Sequence, residues 1–224
     1  MATETGATVD SSAARAEILR RIRKANGGTA EADRAIQQWS AIERGYRRAT
    51  TRSRDEVLEL LEDRLRDYDA HVERVAEHDA AVAVAKMLAG RGLSRIVVPQ
   101  GIDQAWLPAG FGFVLEDGLS APELDGFDGV MTGAMLAIAE TGSVVLQNVA
   151  GQGRRALTLV PDYHLCLVRV GDVVETVPEA VQRLRASSAL PTTFFSGPSA
   201  TADIEMTRIK GVHGPRFLDV ILLT

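Results

Sequence analysis

Gly129-Val-Met-Thr-Gly-Ala-Met-Leu-Ala-Ile-Ala-Glu-Thr-Gly-Ser143 is a run of small and apolar residues with one carboxylate, Glu140, near its end. Residues 129–132 read as a buried strand, and Ser143 to Leu146 read as another. Both are continuous apolar runs, not alternating ones, as expected for parallel strands covered on both faces. Arg95-Ile-Val-Val-Pro99 has the same character, as do Phe113 to Leu115, Leu165 to Val170 and Phe217 to Leu223. His71 to Val75, Ala156 to Val160 and Thr192 to Phe195 complete the strand candidates.

Helical stretches alternate with these runs. Val57, Leu61, Leu65 and Tyr68 fall on one stripe at helical spacing. Residues 79–89 form an Ala/Val-rich segment apolar nearly all round, hence a buried helix ended by Gly90 and Gly92. Val177 to Arg185 is amphipathic. A strand–helix order early in the chain, then strands joined by short Gly/Pro/Asp turns, predicts an α/β fold. Its sheet should be open and mostly parallel, with an antiparallel portion and helices on both faces.

Three segments are expected: a disordered tail over residues 1–10, a helical arm over 11–54 and the α/β domain over 55–224. In the arm, Ser11 or Ser12 caps a helix to about Ala25. Residues 31–54 are helix-compatible but carry only a thin apolar stripe of Trp39, Ile42 and Tyr46. Arg44, Arg47, Arg48, Arg52 and Arg54 give the arm a basic end, expected to stay exposed and meet a partner.

The 224 residues are 46% hydrophobic and 25% charged, which suits a globular chain with a real core, and aromatics are only 5%. The net charge of −5 argues against a general nucleic-acid binder. Cys166 is the single cysteine, so the chain forms no internal disulfide and is not expected to hold an iron–sulfur cluster. His71, His78, His164 and His213 lack metal-ligand spacing, and no metal is expected. The first ten residues lack a secretory apolar core, and no apolar run approaches the ~20 residues of a membrane span. The cytoplasm is the expected compartment. No Gly-x-Gly-x-x-Gly fingerprint, phosphate loop or Gly-x-Ser-x-Gly elbow is present.

What remains is a pattern suited to anions. Gly197-Pro-Ser-Ala-Thr201 can present successive backbone N–H groups, and Ser199 or Thr201 can cap a short helix through residues 202–205. Arg154, Arg155, Arg208, Lys210 and Arg216 can supply charge-assisted bonds. The alternative is a capped turn whose arginines pair with Asp203, Glu205 and Asp162. Glu140, with Thr141 and Gly142 after it, follows an apolar run that would desolvate it, as suits a base or nucleophile. A turn acid is the alternative. His213 is a candidate acid/base or a structural histidine. The segments at Glu140–Gly142, Gly153–Arg155 and Gly197–Thr201 are expected to converge in one cleft at the carboxyl edge of the sheet.

Thr132-Gly-Ala134, Ala139-Glu-Thr-Gly142, Arg155-Ala-Leu-Thr-Leu-Val-Pro-Asp162 with His164, Ser196-Gly-Pro-Ser199, Thr201-Ala-Asp-Ile-Glu205 and Gly211-Val-His-Gly-Pro-Arg216 together resemble the lactate-utilisation protein C family, whose module is the LUD domain. The resemblance implies a fold like that of ribose-5-phosphate isomerases and CoA transferases. It also implies a part in bacterial growth on L-lactate, which is oxidised to pyruvate, beside partners that carry iron–sulfur clusters. Two roles follow from the residues and the resemblance: an accessory or regulatory subunit binding a small carboxylate or phosphorylated ligand, or a free-standing enzyme using Glu140. The cofactor, if any, is unknown.

Overall fold

Continuous apolar runs need cover on two sides, and the chain provides it in layers. The computed structural model describes residues 11–26, 32–198, 200–201, 209–211 and 213–224. The strands are β1 (His71–Val75), β2 (Arg95–Val98), β3 (Gly112–Leu115), β4 (Gly129–Gly133), β5 (Leu136–Ile138), β6 (Ser143–Gln147), β7 (Tyr163–Arg169), β8 (Val173–Val174), β9 (Thr192–Phe195), β10 (Ala200–Thr201), β11 (Ile209–Lys210) and β12 (Phe217–Leu223). Six form a wholly parallel sheet in the order β1-β12-β7-β4-β2-β3. The antiparallel portion is a separate sheet, β8-β5-β6-β9, in which β6 runs antiparallel to both neighbours.

The helices are α1 (Ser11–Ala25), α2 (Ala32–Ala41), α3 (Arg54–Asp67), α4 (Ala80–Gly90), α5 (Ala121–Asp125) and α6 (Val177–Leu184). Alternate residues of each parallel strand face opposite ways. Ile96, Val98, Met131, Leu165, Leu167 and Ile221 pack under α4. On the other face, Cys166, Val168, Val220 and Leu222 meet α3 and Ala137, Val144 and Leu146 of the second sheet. Beside them, Val97 and Val130 meet Leu124 of α5 and Leu157. The outer face of the second sheet, through Leu136, Ile138 and Val145, carries Ala180 and Leu184 of α6. Thr176 and Glu179 form a capping box that starts α6, and Ser53 and Glu56 do the same for α3.

The structure differs from expectation at four places. Residues 156–160 form no strand; Arg155–Thr158 is a short 3₁₀ turn that puts Leu157, fully buried, onto the sheet face. Helix in residues 31–54 is confined to α2, and α3 begins at Arg54. Tyr68 caps α3 and is 36% exposed, so the buried stripe is Val57, Leu58, Leu61 and Leu65. Finally, the chain divides into two compact units at Met1–Tyr46 and Arg47–Thr224, so residues 47–54 belong with the α/β domain and not with the arm. The tail expected over residues 1–10 lies outside the described residues. In the smaller unit, Glu17 pairs with Arg20 and Arg21, and Arg44 stacks on Trp39.

Candidate functional site

A cleft of about 260 Å³ opens where the amino ends of β7 and β12 meet the carboxyl end of β9. Arg155, His164, Ser196, Gly197 and His213 line it, with Phe195 and Leu218 as apolar wall. The edge is opposite to the expected one: the Arg155–Thr158 turn crosses the sheet face and delivers its first residue to the amino edge.

Arg155 is the cleft's fixed charge. Its Nη1 donates to the Thr158 carbonyl at 3.1 Å and to Thr158 Oγ1 at 3.2 Å. Thr158 is itself buried, so it holds the guanidinium in place. Among the described residues no carboxylate pairs with Arg155. Arg216 pairs with Asp162, as the capped-turn alternative foresaw, whereas Arg154 pairs with Glu116 at 2.8 Å, and Arg208 lies outside the described residues.

His164 is 2% exposed, and burial, with the Arg155 charge adding to it, pushes its pKa down to about 3. The imidazole is therefore neutral at ordinary pH. Its Nε2 lies 2.8 Å from Thr132 Oγ1, the Thr132 hydroxyl donates to Cys166 Sγ at 3.7 Å, and Cys166 donates to the Gly133 carbonyl at 3.7 Å. Thr132 has one proton, and giving it to Cys166 makes His164 Nε2 a donor. That tautomer leaves Nδ1 as an acceptor. Burial also raises the Cys166 thiol to about 12, against a smaller opposing effect from Thr132, so it is an inert thiol.

The cleft does not gather every expected residue. Glu140 is not among its lining residues; its carboxylate pairs with Arg47. Thr141 does adjoin the cleft loop, through hydroxyl contacts from Thr141 Oγ1 to Ser143 Oγ at 2.7 Å and from Ser143 Oγ to Ser196 Oγ at 2.6 Å. Gly142 and Gly197 have φ of 59° and 78°. A Cβ on Gly142 would lie 2.7 Å from Arg64 Cβ, and one on Gly197 would lie 2.3 Å from Tyr68 Cβ. Both glycines thus let the chain turn against α3 and its cap. Arg154 points to the carboxyl edge, where it also donates to the Leu119 carbonyl. Thr201 sits in β10, paired with Ile209, and Lys210 sits in β11, paired with Ala200. Ser199, residues 202–208 and Val212 lie outside the described residues, and the expected helix at 202–205 with them.

The basic segment is exposed over residues 45–54, as expected, and Arg47, Arg52 and Arg54 also bond within their own domain. Glu175, fully buried at the end of β8, accepts from Arg47, from Arg52 and from the backbone N–H of Thr51 at 2.7 Å. Burial alone would raise its pKa; these donors outweigh burial and lower it to about 2. Glu179 accepts from Thr50, and Arg54 donates to the Val173 carbonyl. Residues 47–54 are thus a strap fastened across the ends of β5 and β8.

Glu175 and His164 were not singled out as functional residues from sequence. His164 lay within a quoted motif, but its burial depends on Phe195, whose ring is 5.2 Å away, and on β12. Among the described residues no group of three or more His, Cys, Asp or Glu could hold a metal ion, and no helix is long and apolar enough to cross a membrane.

Comparison with known proteins adds to this geometry. Residues 121–223 match the model of the LUD domain, a span that includes every residue lining the cleft. The lactate utilization protein C of Deinococcus radiodurans is 45% identical over 174 residues, covering 76% of this chain and 81% of that protein. The lactate utilization protein C of Halalkalibacterium halodurans is 37% identical over 91 residues, 38% of this chain and 39% of the relative. A crystal structure of a DUF162 family protein from Deinococcus radiodurans superposes with a TM-score of 0.69 at 41% identity, covering 77% of this chain and 99% of the other.

Proposed function

The chain belongs to the lactate utilization protein C family, and from that premise we propose that it serves bacterial L-lactate use as a subunit that binds a small carboxylate at Arg155. The relatives' printed names support the process. One observation carries the ligand: Arg155 is held by Thr158 in a cleft whose lining includes no Asp or Glu among the described residues. A carboxylate there gains a charge-assisted bond. Ser196 supplies a hydroxyl and Phe195 and Leu218 an apolar wall, which suits a short chain such as that of a two- or three-carbon acid.

In this reading the protein acts beside partner proteins that carry iron–sulfur clusters, and its own buried Cys166 takes no part in electron transfer. The other reading, an enzyme with Glu140 as nucleophile, needs that carboxylate in the cleft, and its pairing with Arg47 removes that support.

Growth tests both levels. A deletion strain without another lactate route should grow on pyruvate and poorly on L-lactate, and the wild-type chain should restore growth while Arg155→Ala should not. Equal growth of the deletion strain on both carbon sources contradicts the process. Full restoration by Arg155→Ala contradicts the cleft reading alone.

A further inference from the structure

The amino-edge cleft holds one polar atom that the described chain leaves unused. His164 lines the cleft although the residue is only 2% exposed. Its Nε2 is taken by Thr132 at 2.8 Å, and its Nδ1 has no hydrogen-bond partner among the described residues. Nδ1 is nevertheless not sealed in the core: among the described residues, the fully buried side-chain nitrogens and oxygens without a partner are Trp106 Nε1 and Gln147 Oε1. The little surface that this imidazole retains therefore includes Nδ1, and it opens into the cleft that the ring lines.

The surrounding bonds fix what Nδ1 can do. Thr132 gives its one proton to Cys166 Sγ at 3.7 Å, so Nε2 carries the ring proton and Nδ1 presents a lone pair. Burial keeps the ring neutral, and the Arg155 charge acts in the same direction. A lone pair is also compatible with a guanidinium in the same cleft, where a second N–H is not.

Arg155 and His164 together call for an anionic acceptor and a hydrogen-bond donor on one ligand. A carboxylate satisfies Arg155 but has no proton for Nδ1. An ammonium group supplies one, but Arg155 repels a second cation, and the lining includes no Asp or Glu among the described residues to offset it. A keto oxygen sets one lone pair against another. A hydroxyl donates and carries no charge.

We infer that His164 Nδ1 makes the Arg155 cleft selective for a short hydroxy acid over the matching oxo, amino and unsubstituted acids. This selectivity presupposes that Arg155 binds a carboxylate, as proposed above. The carboxylate meets Arg155, the hydroxyl donates to Nδ1, and Phe195 and Leu218 face the carbon chain.

Calorimetry on the full-length chain near neutral pH tests this with six three-carbon probes: L-lactate, D-lactate, 3-hydroxypropionate, propionate, pyruvate and L-alanine. At least one hydroxy acid should bind about fivefold or more tighter than the last three. His164→Phe keeps a flat ring and loses both nitrogens, so it should bring that hydroxy acid down to the affinity of propionate and leave propionate unchanged. The wild-type chain with ¹⁵N-labelled histidine gives a readout that needs no variant. The His164 Nδ1 resonance should move upfield with the hydroxy acid, as a ring nitrogen does on accepting a hydrogen bond, and not with propionate. Hydroxy acids that bind no tighter than propionate, while Arg155→Gln weakens all of them, overturn the selectivity and leave the Arg155 reading standing. A folded His164→Phe chain that keeps the preference, or an Nδ1 resonance unmoved by the preferred acid, overturns it as well. If none of the six acids binds, both readings fall.

Discussion

The two edges of the parallel sheet carry clefts of similar size whose arginines are held in different ways. At the amino edge Arg155, with no carboxylate partner among the described residues, faces a neutral histidine. At the carboxyl edge Arg169 is neutralised by Glu77 and Asp103, and Asp172 interacts electrostatically with Arg54. Arg154 and Arg155 are adjacent in sequence, yet one pairs with Glu116 and the other has no carboxylate partner among the described residues. The contrast teaches that a basic pair is not a site. What makes a guanidinium available is the absence of a carboxylate within reach, and that is settled by tertiary structure.

The largest effect expected is on packing. Gly197→Ala sets a side chain at a φ of 78° against Tyr68, so it should destabilise the fold by roughly 2–4 kcal/mol in denaturant unfolding. If Gly197 served only as an amide donor for an anion, its replacement would cost binding and leave stability unchanged, and the distinction between packing glycine and binding glycine would collapse.

The strap gives the next effect. Glu175→Gln removes an acceptor from two arginines and should cost roughly 1–3 kcal/mol. The folded pKa of Glu175 lies below the ordinary 4.5, so its contribution is complete above about pH 4.5 and is lost as pH falls toward 2. Wild type should therefore lose stability more steeply than Glu175→Gln over that window; parallel curves would show that the strap is not fastened by this carboxylate.

His164 sharpens the comparison in a milder range. Its folded pKa is depressed from 6.5 to about 3, so the unfolded chain takes up a proton first as pH falls. Stability should drop by about 1.4 kcal/mol per pH unit below 6.5 relative to His164→Phe. A His164→Phe chain with the same acid slope would mean that the imidazole is not buried neutral beside Arg155.

Much of the framework was legible because it is locally encoded. The runs 95–98, 129–133 and 217–223 are apolar on consecutive residues, and only doubly covered strands require that. Residues 156–160 look similar, but Leu157 alone reaches the sheet while Arg155 and Thr158 bond to each other, and so short a stretch cannot reveal its period. β5 and β8 have three and two residues, and their membership in a second sheet depends on partners far along the chain. The LUD-domain motifs pointed to the right family, and of the segments expected to converge, Arg155 and Gly197 do line one cleft. They did not reveal that Glu140 would meet Arg47, because residues 93 positions apart in sequence are joined only by the strap. Glu175 was unreadable for the same reason: its donors are more than a hundred residues upstream.

The central claim is that Arg155, and not Arg154, makes the amino-edge cleft an anion site. Titration of the wild-type chain, Arg155→Gln and Arg154→Gln with sodium acetate and sodium pyruvate by calorimetry tests it most directly. Arg155→Gln should weaken binding by roughly 1–3 kcal/mol, about 5-fold to 150-fold, and Arg154→Gln should bind as wild type does. Equal binding by wild type and Arg155→Gln, or loss confined to Arg154→Gln, would contradict the account.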